Sequence, residues 1–403
     1  MLQVVSVFGT RPEAIKMAPV VKELEKHPDK IISRVCVTAQ HREMLDKVLE
    51  LFGIVPDYDL DVMEDNQTPT QVASAVLAGL ESILQAERPD WVLVQGDTTT
   101  VAAASLAAFY ARVKVGHVEA GLRTHDKWQP FPEEVNRKVA SAIADLHFAP
   151  TESARQNLLR EGTPDECIVV TGNPVIDALQ WVAALPMTSE VVGLLEHVGV
   201  SADAETKSQG DKGTRNPSPP RPFSPSPRLI VVTAHRRENF GQPLENICGA
   251  LSDIARRYDG EVRIMYPVHL NPNVWKPVHR MLEGVPNIVL TPPLEYLPMV
   301  HLMKRSHLVL TDSGGIQEEA PGLGKPVLVL REVTERPEAV EAGTVRLVGT
   351  DRERIVNEAV QLLEDTDAYE RMARAVNPYG DGHASERIVG TLLGEPATSL
   401  QRA

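Results

Sequence analysis

The 403-residue sequence has few cysteines, and their spacing matches neither a metal site nor a disulfide framework. Cys36, Cys167 and Cys248 are widely separated, and Cys36 falls inside an apolar strand pattern, which is typical of a buried structural thiol. Such sparse use of cysteine is typical of the reducing cytoplasm. We therefore predict a cytoplasmic protein without a cysteine-based metal site.

The sequence also lacks an excess of positive charge and any long hydrophobic run. Its 41 basic and 55 acidic residues leave a net charge of −14, which argues against nucleic acid or an anionic membrane as a partner. A local basic pocket could still bind phosphate. No apolar run approaches the ~20 residues of a membrane span, and a strand pattern begins at once, so we expect no signal peptide. What remains is an ordinary globular composition, 42% hydrophobic and 24% charged.

Short β-rich apolar runs alternate with amphipathic helical patterns almost throughout. The expected strands are 4–8, 32–38, 91–95, 114–118, 146–149 and 168–171, then 229–233, 262–268, 288–290, 308–311 and 326–330. This alternation predicts an α/β protein in which helices cover both faces of a parallel sheet. Because the pattern restarts, the predicted fold class is two Rossmann-like, doubly wound domains facing a cleft.

The same pattern gives the expected domain bounds. An N-terminal domain spans 1–172, a C-terminal domain spans 173–383, and the segment 384–403 forms a helix that returns to the first domain. The segment 202–227 has hardly an apolar residue and cannot bury enough surface to offset the entropy of ordering, so we interpret it as a disordered insertion. A proline-rich docking peptide is the alternative.

Charged residues follow the strands of the first half. Glu119 and Arg123 lie in the run 116–124 after one strand, Asp97 follows another, and Glu133 lies further on. Ligands of open α/β sheets bind at the carboxyl ends of the strands, so we predict an active site for an anionic substrate there. Neighbouring carboxylates can have pKa values raised enough to exchange protons near neutral pH. The alternative for Asp97 is an N-cap of the helix 99–111.

The second half supplies a turn suited to a nucleotide. The run 311–316 contains Ser313, Gly314 and Gly315 between a strand and a helix, so backbone N–H groups can approach a phosphate at the helix N-terminus. Glu319 follows one turn later, where it can accept hydrogen bonds from ribose hydroxyls. The alternative is a tight connection and nothing more. The turn is not a P-loop, and no dinucleotide fingerprint follows the first strand.

Two histidines also follow strands in this half. His235 opens the run 235–239 with two arginines, which predicts neutralisation of a diphosphate; a solvated charge run is the alternative. His269 repeats the arrangement in 267–272. The two histidines lie on different turns without helical pairing, so we predict no metal.

Together these motifs resemble the non-hydrolysing UDP-N-acetylglucosamine 2-epimerases. The resemblance runs from residue 4 to 382. Its motifs are 8–19, 38–42, 96–100, 117–123, 235–238, 267–272, 312–321 and 334–338.

The resemblance implies a glycosyltransferase-B-like fold and the reversible interconversion of UDP-GlcNAc and UDP-ManNAc without cofactor or metal. UDP is eliminated across C1–C2 to leave a 2-acetamidoglucal, which is reprotonated on the opposite face as UDP returns. Alternatives are a hydrolysing epimerase that releases UDP and ManNAc, or a 2-epimerase of a modified UDP-sugar such as a diacetamido-uronate. A glycosyltransferase would not need three acids, and a nucleotide-sugar sensor would tolerate their loss.

The resemblance also implies roles for individual residues. The expected catalytic residues are Asp97, Glu119, Glu133 and His235. The expected UDP-binding residues are Arg11, Lys16, His235, His269, Leu294, Met299, Ser313, Gly314, Gly315, Glu319 and Arg336. A second UDP-GlcNAc is expected to bind as an activator at Gln40, His41, Arg236 and His269, although Asn66 departs from an arginine that some relatives use. The expected assembly is a homodimer.

Overall fold

The computed structural model of the protein describes residues 1–38, 42–62, 67–201 and 227–395. The chain divides into two compact units, one formed by Met1–Trp181 with the chain from Pro378 onward, and the other by Val182–Asn377. Residues 202–226 of the expected insertion lie outside the described residues, as do Gln40, His41 and Asn66.

Each unit is built on one parallel β-sheet. The strands of the first unit are β1 (Leu2–Phe8), β2 (Ile31–Val37), β3 (Tyr58–Asp59), β4 (Trp91–Gln95), β5 (Lys114–Val118), β6 (Leu146–Ala149) and β7 (Ile168–Val170). Those of the second unit are β8 (Arg228–Thr233), β9 (Val262–Pro267), β10 (Ile288–Thr291), β11 (Leu308–Thr311), β12 (Val327–Val329) and β13 (Val345–Leu347). Their orders are β3-β2-β1-β4-β5-β6-β7 and β10-β9-β8-β11-β12-β13.

Helices follow nearly every strand. They are α1 (Arg11–Glu25), α2 (Arg42–Phe52), α3 (Pro69–Glu87), α4 (Thr99–Tyr110), α5 (Glu133–Ile143), α6 (Glu152–Arg160), α7 (Pro174–Ala184), α8 (Ser189–Val198), α9 (Gln242–Arg257), α10 (Pro272–Leu282), α11 (Tyr296–Arg305), α12 (Gly314–Gly322), α13 (Pro337–Glu341), α14 (Arg352–Glu364), α15 (Thr366–Ala373) and α16 (Ala384–Leu392). Short 3-10 turns cover Asp165–Cys167 and Arg237–Asn239. No single described helix is long and apolar enough to cross a membrane; α7 and α8 qualify only as a pair, bent by 86°.

The predicted fold class, two Rossmann-like α/β domains, is confirmed. Each expected strand is present, with ends shifted by a residue or two at most. The sequence missed β3 and β13, which are edge strands of two and three residues. So few residues carry no measurable periodicity.

Both sheets have a point where the strand order reverses. In the first unit it lies between β1 and β4, and in the second between β8 and β11. At such a point the helices after the two strands run to opposite faces, which leaves a crevice at the carboxyl ends. The first unit is completed by α16, which packs on α1 and donates two backbone N–H bonds, from Ala384 and Ser385, to the Asp177 carboxylate.

Candidate active site

Glu119 follows β5 and is the most extensively held carboxylate at the edge of the first sheet. Its backbone has φ = 62°, a left-handed conformation that is costly for a residue with a side chain. The carboxylate is buried, with 4% of the side chain exposed, and pairs with the Lys16 ammonium at 2.6 Å. It also accepts a hydrogen bond from Asn173 Nδ2 at 3.0 Å and one from Gln95 Nε2. Donors from three separate elements therefore fix its position.

Asp97 follows β4 and is more open than Glu119. Its carboxylate accepts hydrogen bonds from Arg137 Nη2 at 2.6 Å and Nε at 2.9 Å, while 28% of its side chain is exposed. The alternative that Asp97 caps the next helix is wrong, because Thr98 is the N-cap of α4 and its hydroxyl accepts from Val101 N. The Asp97 carboxylate is therefore held by Arg137 and not by the start of α4.

Glu133 is the first residue of α5. Its Oε2 atom is buried, and no described protein group hydrogen-bonds to it. The next residue, Glu134, anchors the preceding loop by accepting hydrogen bonds from Thr124 N and His125 N, each at 3.1 Å. Since an unpaired buried carboxylate oxygen is costly, Glu133 is a strong candidate for contact with a ligand.

These acids are linked through their neighbours. A Cβ atom added to Gly96 would lie 3.6 Å from Glu119 Oε2, so the Glu119 carboxylate lies beside the residue that precedes Asp97. Arg137 pairs with Asp97 and also, at 3.1 Å, with Glu134, the neighbour of Glu133. Glu119 thus lies beside the turn that carries Asp97, and Arg137 connects Asp97 to the start of α5, where Glu133 lies.

Arg123, which follows Glu119 in the same run, and His117, in β5, have structural contacts instead. The side chain of Arg123 is fully buried, pairs with Glu161 at 2.7 Å and donates to Ser141 Oγ at 2.9 Å. Contrary to our expectation, its side chain does not lie with the acids of the predicted active site. Burial lowers the pKa of His117 to about 4, and its Nε2 lies 2.7 Å from the Gly96 carbonyl oxygen. A neutral His117 therefore supports the Gly96 turn.

Side chains accept hydrogen bonds from the backbone N–H groups at the start of α1. The carboxylate of Glu13 accepts from Gly9 N at 2.9 Å, Thr10 N at 2.7 Å and Thr98 Oγ1 at 2.6 Å. Burial raises the pKa of Glu13, and Thr10 completes the capping box. Arg11 is half-buried in the first turn of this helix.

In the second unit, Asp312 organises the reversal point. It follows β11, is fully buried, and accepts from the backbone N–H groups of His235 and Arg236, each at 2.8 Å. His235 Nδ1 lies 3.5 Å from Asp312 Oδ1, and the His235 ring stacks on His269 with 5.4 Å between centroids. Burial lowers the pKa of His235, and the Asp312 carboxylate opposes that shift.

The α12 helix begins without a side-chain cap. Ser313 occupies the N-cap position, but its hydroxyl makes no capping hydrogen bond. Arg236 lies close by, because a Cβ atom added to Gly314 would be 3.6 Å from its Nη2, and Glu319 Oε1 would be 3.3 Å from one added to Gly315. Expected groups for phosphate and ribose thus lie side by side at this turn.

The remaining expected UDP-binding residues belong to the same unit. Arg336 forms an ion pair with the buried Glu318, and their side chains are 12% and 2% exposed. Leu294 and Met299 are partly buried against the small core that includes Leu302. Among residues 1–38, 42–62, 67–201 and 227–395, no three histidine, cysteine or acidic side chains cluster as a metal site would require.

The sequence did not reveal four supporting residues: Gln95, Asn173, Arg137 and Asp312. Gln95, Asn173 and Asp312 come at or just after a strand that the sequence did predict. Their positions were therefore a usable signal, since side chains at the carboxyl ends of parallel strands share one edge. Arg137, in the middle of α5, gave no such signal.

Known proteins match the chain over nearly its full length. The family model described as UDP-N-acetylglucosamine 2-epimerase matches residues 22–393. A relative of that name from Salmonella typhimurium strain LT2 is 56% identical over 392 residues, or 97% of this chain and 98% of the relative.

Two solved structures extend the comparison. UDP-GlcNAc 2-epimerase from Neisseria meningitidis, bound to UDP-GlcNAc, is 49% identical with a TM-score of 0.82, covering 98% of this chain and 100% of that one. The enzyme from Methanocaldococcus jannaschii, in complex with UDP-GlcNAc and UDP, is 33% identical with a TM-score of 0.74, again covering 98% and 100%.

Proposed function

Since the chain belongs to the UDP-N-acetylglucosamine 2-epimerase family, as its motifs predicted, we propose that this isomerase interconverts UDP-GlcNAc and UDP-ManNAc by elimination and re-addition of UDP. The observation that carries the proposal is the buried Glu119 carboxylate, held by Lys16, Gln95 and Asn173 beside the turn that leads to Asp97. Such a preorganised carboxylate suits the removal of a weakly acidic proton.

The proposed reaction breaks two bonds of the sugar nucleotide. A carboxylate takes the proton from C2 as the bond between C1 and the UDP oxygen breaks, which leaves a C1–C2 double bond in a 2-acetamidoglucal. Protonation of C2 on the opposite face, with return of UDP to C1, gives the epimer. Inversion at C2 needs a proton-handling group on each face, and Asp97, Glu119 and Glu133 are the candidates. Elimination and re-addition can each run in either direction while UDP stays bound, and the proton taken from C2 is balanced by the proton returned to it, so the reaction is reversible.

The leaving UDP requires stabilisation of its developing negative charge. The start of α12 has no side-chain cap, so the N–H groups of Gly314 and Gly315 and the Ser313 hydroxyl are assigned to phosphate oxygens, while Ser313 N donates to Thr311 Oγ1 at 2.9 Å. The helix dipole favours the anion. His235, with Asp312 behind its ring, can serve as the catalytic group beside the diphosphate. Glu319 is assigned to the ribose hydroxyls.

The binding of a second nucleotide sugar is part of the proposal. The Methanocaldococcus jannaschii structure contains UDP-GlcNAc together with UDP. In this chain Arg236 lies beside Gly314, and His269 stacks on His235, so activator groups adjoin groups assigned to UDP. We propose that UDP-GlcNAc acts there as an activator and that the enzyme is a homodimer.

Incubation with UDP-GlcNAc in D2O tests the reaction. We expect NMR to show UDP-ManNAc and deuterium at C2 of both sugars, with no accumulation of free ManNAc. Reaction without enzyme is the control. Epimerisation without deuterium uptake would contradict proton transfer at C2. Steady release of ManNAc and UDP would favour the hydrolysing alternative.

A further inference from the structure

Two neutral amides contact the Glu119 carboxylate along with the charged Lys16. Gln95 Nε2 and Asn173 Nδ2 both donate to it, and both side chains are buried. Gln95 is the last residue of β4, and Asn173 follows β7. They therefore approach Glu119, which follows β5, from strands on its two sides in the sheet order.

Lys16 is assigned to two different partners. It lies 2.6 and 2.7 Å from the Glu119 oxygens, yet the proposed function also assigns it to the substrate diphosphate. A lysine ammonium on a flexible four-carbon stem can change partners, whereas an amide fixed in the framework cannot follow it. If Lys16 transfers to the diphosphate, the amides remain on the carboxylate.

We propose that Gln95 and Asn173 are positioning residues for Glu119, whose amides hold its carboxylate in place while Lys16 transfers its charge to the arriving diphosphate. This inference rests on the proposed function. It makes the loss of the ion pair a consequence of substrate binding, so the carboxylate is freed for proton transfer only when a leaving group is present.

The two amides are themselves rigid. Asn173 Oδ1 accepts from Val175 N at 3.2 Å, and Asn173 N donates to the Tyr379 carbonyl oxygen at 2.7 Å. Gln95 is 2% exposed at the end of a strand paired on both edges. A neutral donor keeps a carboxylate oriented without the charge that would oppose its protonation. These amides are therefore suited to a base that must take up and release a proton.

The variants Gln95→Met and Asn173→Asp remove one donor each. The aspartate keeps an oxygen for Val175 N, so the start of α7 is preserved. We expect kcat to fall about 10²-fold, because a small displacement of a reacting group has that effect, while UDP affinity is unchanged. The matched control is Asn157→Asp, which removes an amide donor to the nearby Gly121 carbonyl oxygen and should leave kcat unchanged.

The pH dependence separates positioning from a general loss of structure. In Asn173→Asp, two adjacent carboxylates cannot both ionise easily, so the acidic limb of the pH–rate profile should move to higher pH. In Asn157→Asp it should not. Wild-type turnover in both Gln95→Met and Asn173→Asp, or a fall in melting temperature with an unmoved profile, would overturn the inference.

A crystal structure with UDP tests the transfer directly. We expect Lys16 Nζ on the diphosphate and Glu119 still bonded to Gln95 and Asn173. Retention of the Lys16–Glu119 pair with UDP bound would overturn the inference while leaving the epimerase proposal intact. Absence of wild-type turnover on UDP-GlcNAc would instead refute the proposed function, and this inference with it.

Discussion

The two sheets share one strand order apart from the additional β7 of the first, but the helices at their points of strand-order reversal begin differently. In the first unit, α1 and α4 begin with Thr10 and Thr98, whose hydroxyls cap backbone N–H groups, and Glu13 adds a buried carboxylate. In the second, α12 begins at Ser313 without a capping bond. Side chains thus take up the anion-binding capacity of the first edge, whereas that of α12 remains available.

Because of this difference, the corresponding helix starts of the two units are suited to different chemistry. Where side chains already accept from the N–H groups at the start of a helix, those groups have little affinity for phosphate. The neighbouring strand ends can then carry carboxylates without a phosphate binding next to them. An open start with glycine has the opposite property. The proposed division is therefore between the acids and a backbone phosphate site at α12, and α1 contributes only the side chains of Arg11 and Lys16 to the diphosphate.

The largest expected effect tests the acids of the first unit. Asp97→Asn, Glu119→Gln and Glu133→Gln should each lower kcat by about 10²–10⁴-fold, as is typical of general acid–base groups, without loss of UDP affinity. Steady-state kinetics and UDP titration measure the two effects. Glu152→Gln, in an exposed pair with Arg155, is the control. Loss of UDP affinity in the acid variants would break the proposed division.

The next effect concerns the stability of the second unit. Arg336→Met removes the guanidinium that pairs with the buried Glu318 carboxylate, which should cost about 3–5 kcal/mol in the free energy of unfolding. Denaturant titration measures the loss. The double variant Arg336→Met/Glu318→Gln should recover much of it, because the buried negative charge is then removed as well. A double variant no more stable than the single one would show that the ion pair is not the cause.

A third effect is the loss of stability at acidic pH that follows from the burial of His117 in β5. Unfolded His117 binds a proton below about pH 6.5, but burial lowers its folded pKa to about 4. The unfolded state therefore binds more protons between these values, and stability falls as pH falls from about 6.5 to about 4, by about 3 kcal/mol in total.

Melting curves across that window measure the effect. His117→Gln should lose less stability on acidification than the wild type. His383→Gln, at an exposed histidine, should behave like the wild type. Equal acid sensitivity in all three proteins would contradict the role of His117.

The smallest effect distinguishes the two helix starts themselves. Thr98→Ala should cost about 1 kcal/mol of stability through loss of the cap and about 1 kcal/mol more through loss of its hydrogen bond to the buried Glu13 carboxylate. Ser313→Ala should cost little stability, because Ser313 makes no capping bond, but it should weaken UDP binding. Thermal melting with and without UDP measures both. Equal destabilisation by the two substitutions would contradict the proposed difference between the starts of α4 and α12.

The sequence predicted the sheets well because buried parallel strands read as continuous apolar runs. It also predicted that acids follow the strands of the first unit. It could not show that Arg123 turns away to Glu161, since a guanidinium's partner depends on a residue that is distant in the chain. Nor could it rank Thr98 above Asp97 as the cap of α4, because both are good capping residues in adjacent positions.

The supporting groups were the least predictable part. Gln95 and Asn173 carry no charge and belong to none of the recognised motifs, so only their positions at the ends of predicted strands could have pointed to them. Only the register of neighbouring strands brings their amides to Glu119. Tertiary placement, and not residue type, gives them their contacts.

Because the ribosome synthesises the chain from its N-terminus, the two units become complete in a different order from that in which they begin. The second unit is contiguous, Val182–Asn377, whereas the first includes the chain from Pro378 onward. Its last helix, α16, packs on α1 and is tied to Asp177. The unit that begins to emerge first is therefore the last to be completed, and its α1 must await a packing partner, α16, that is made after the whole second unit. Splitting the gene after residue 181 would yield an N-terminal product that lacks part of its own body.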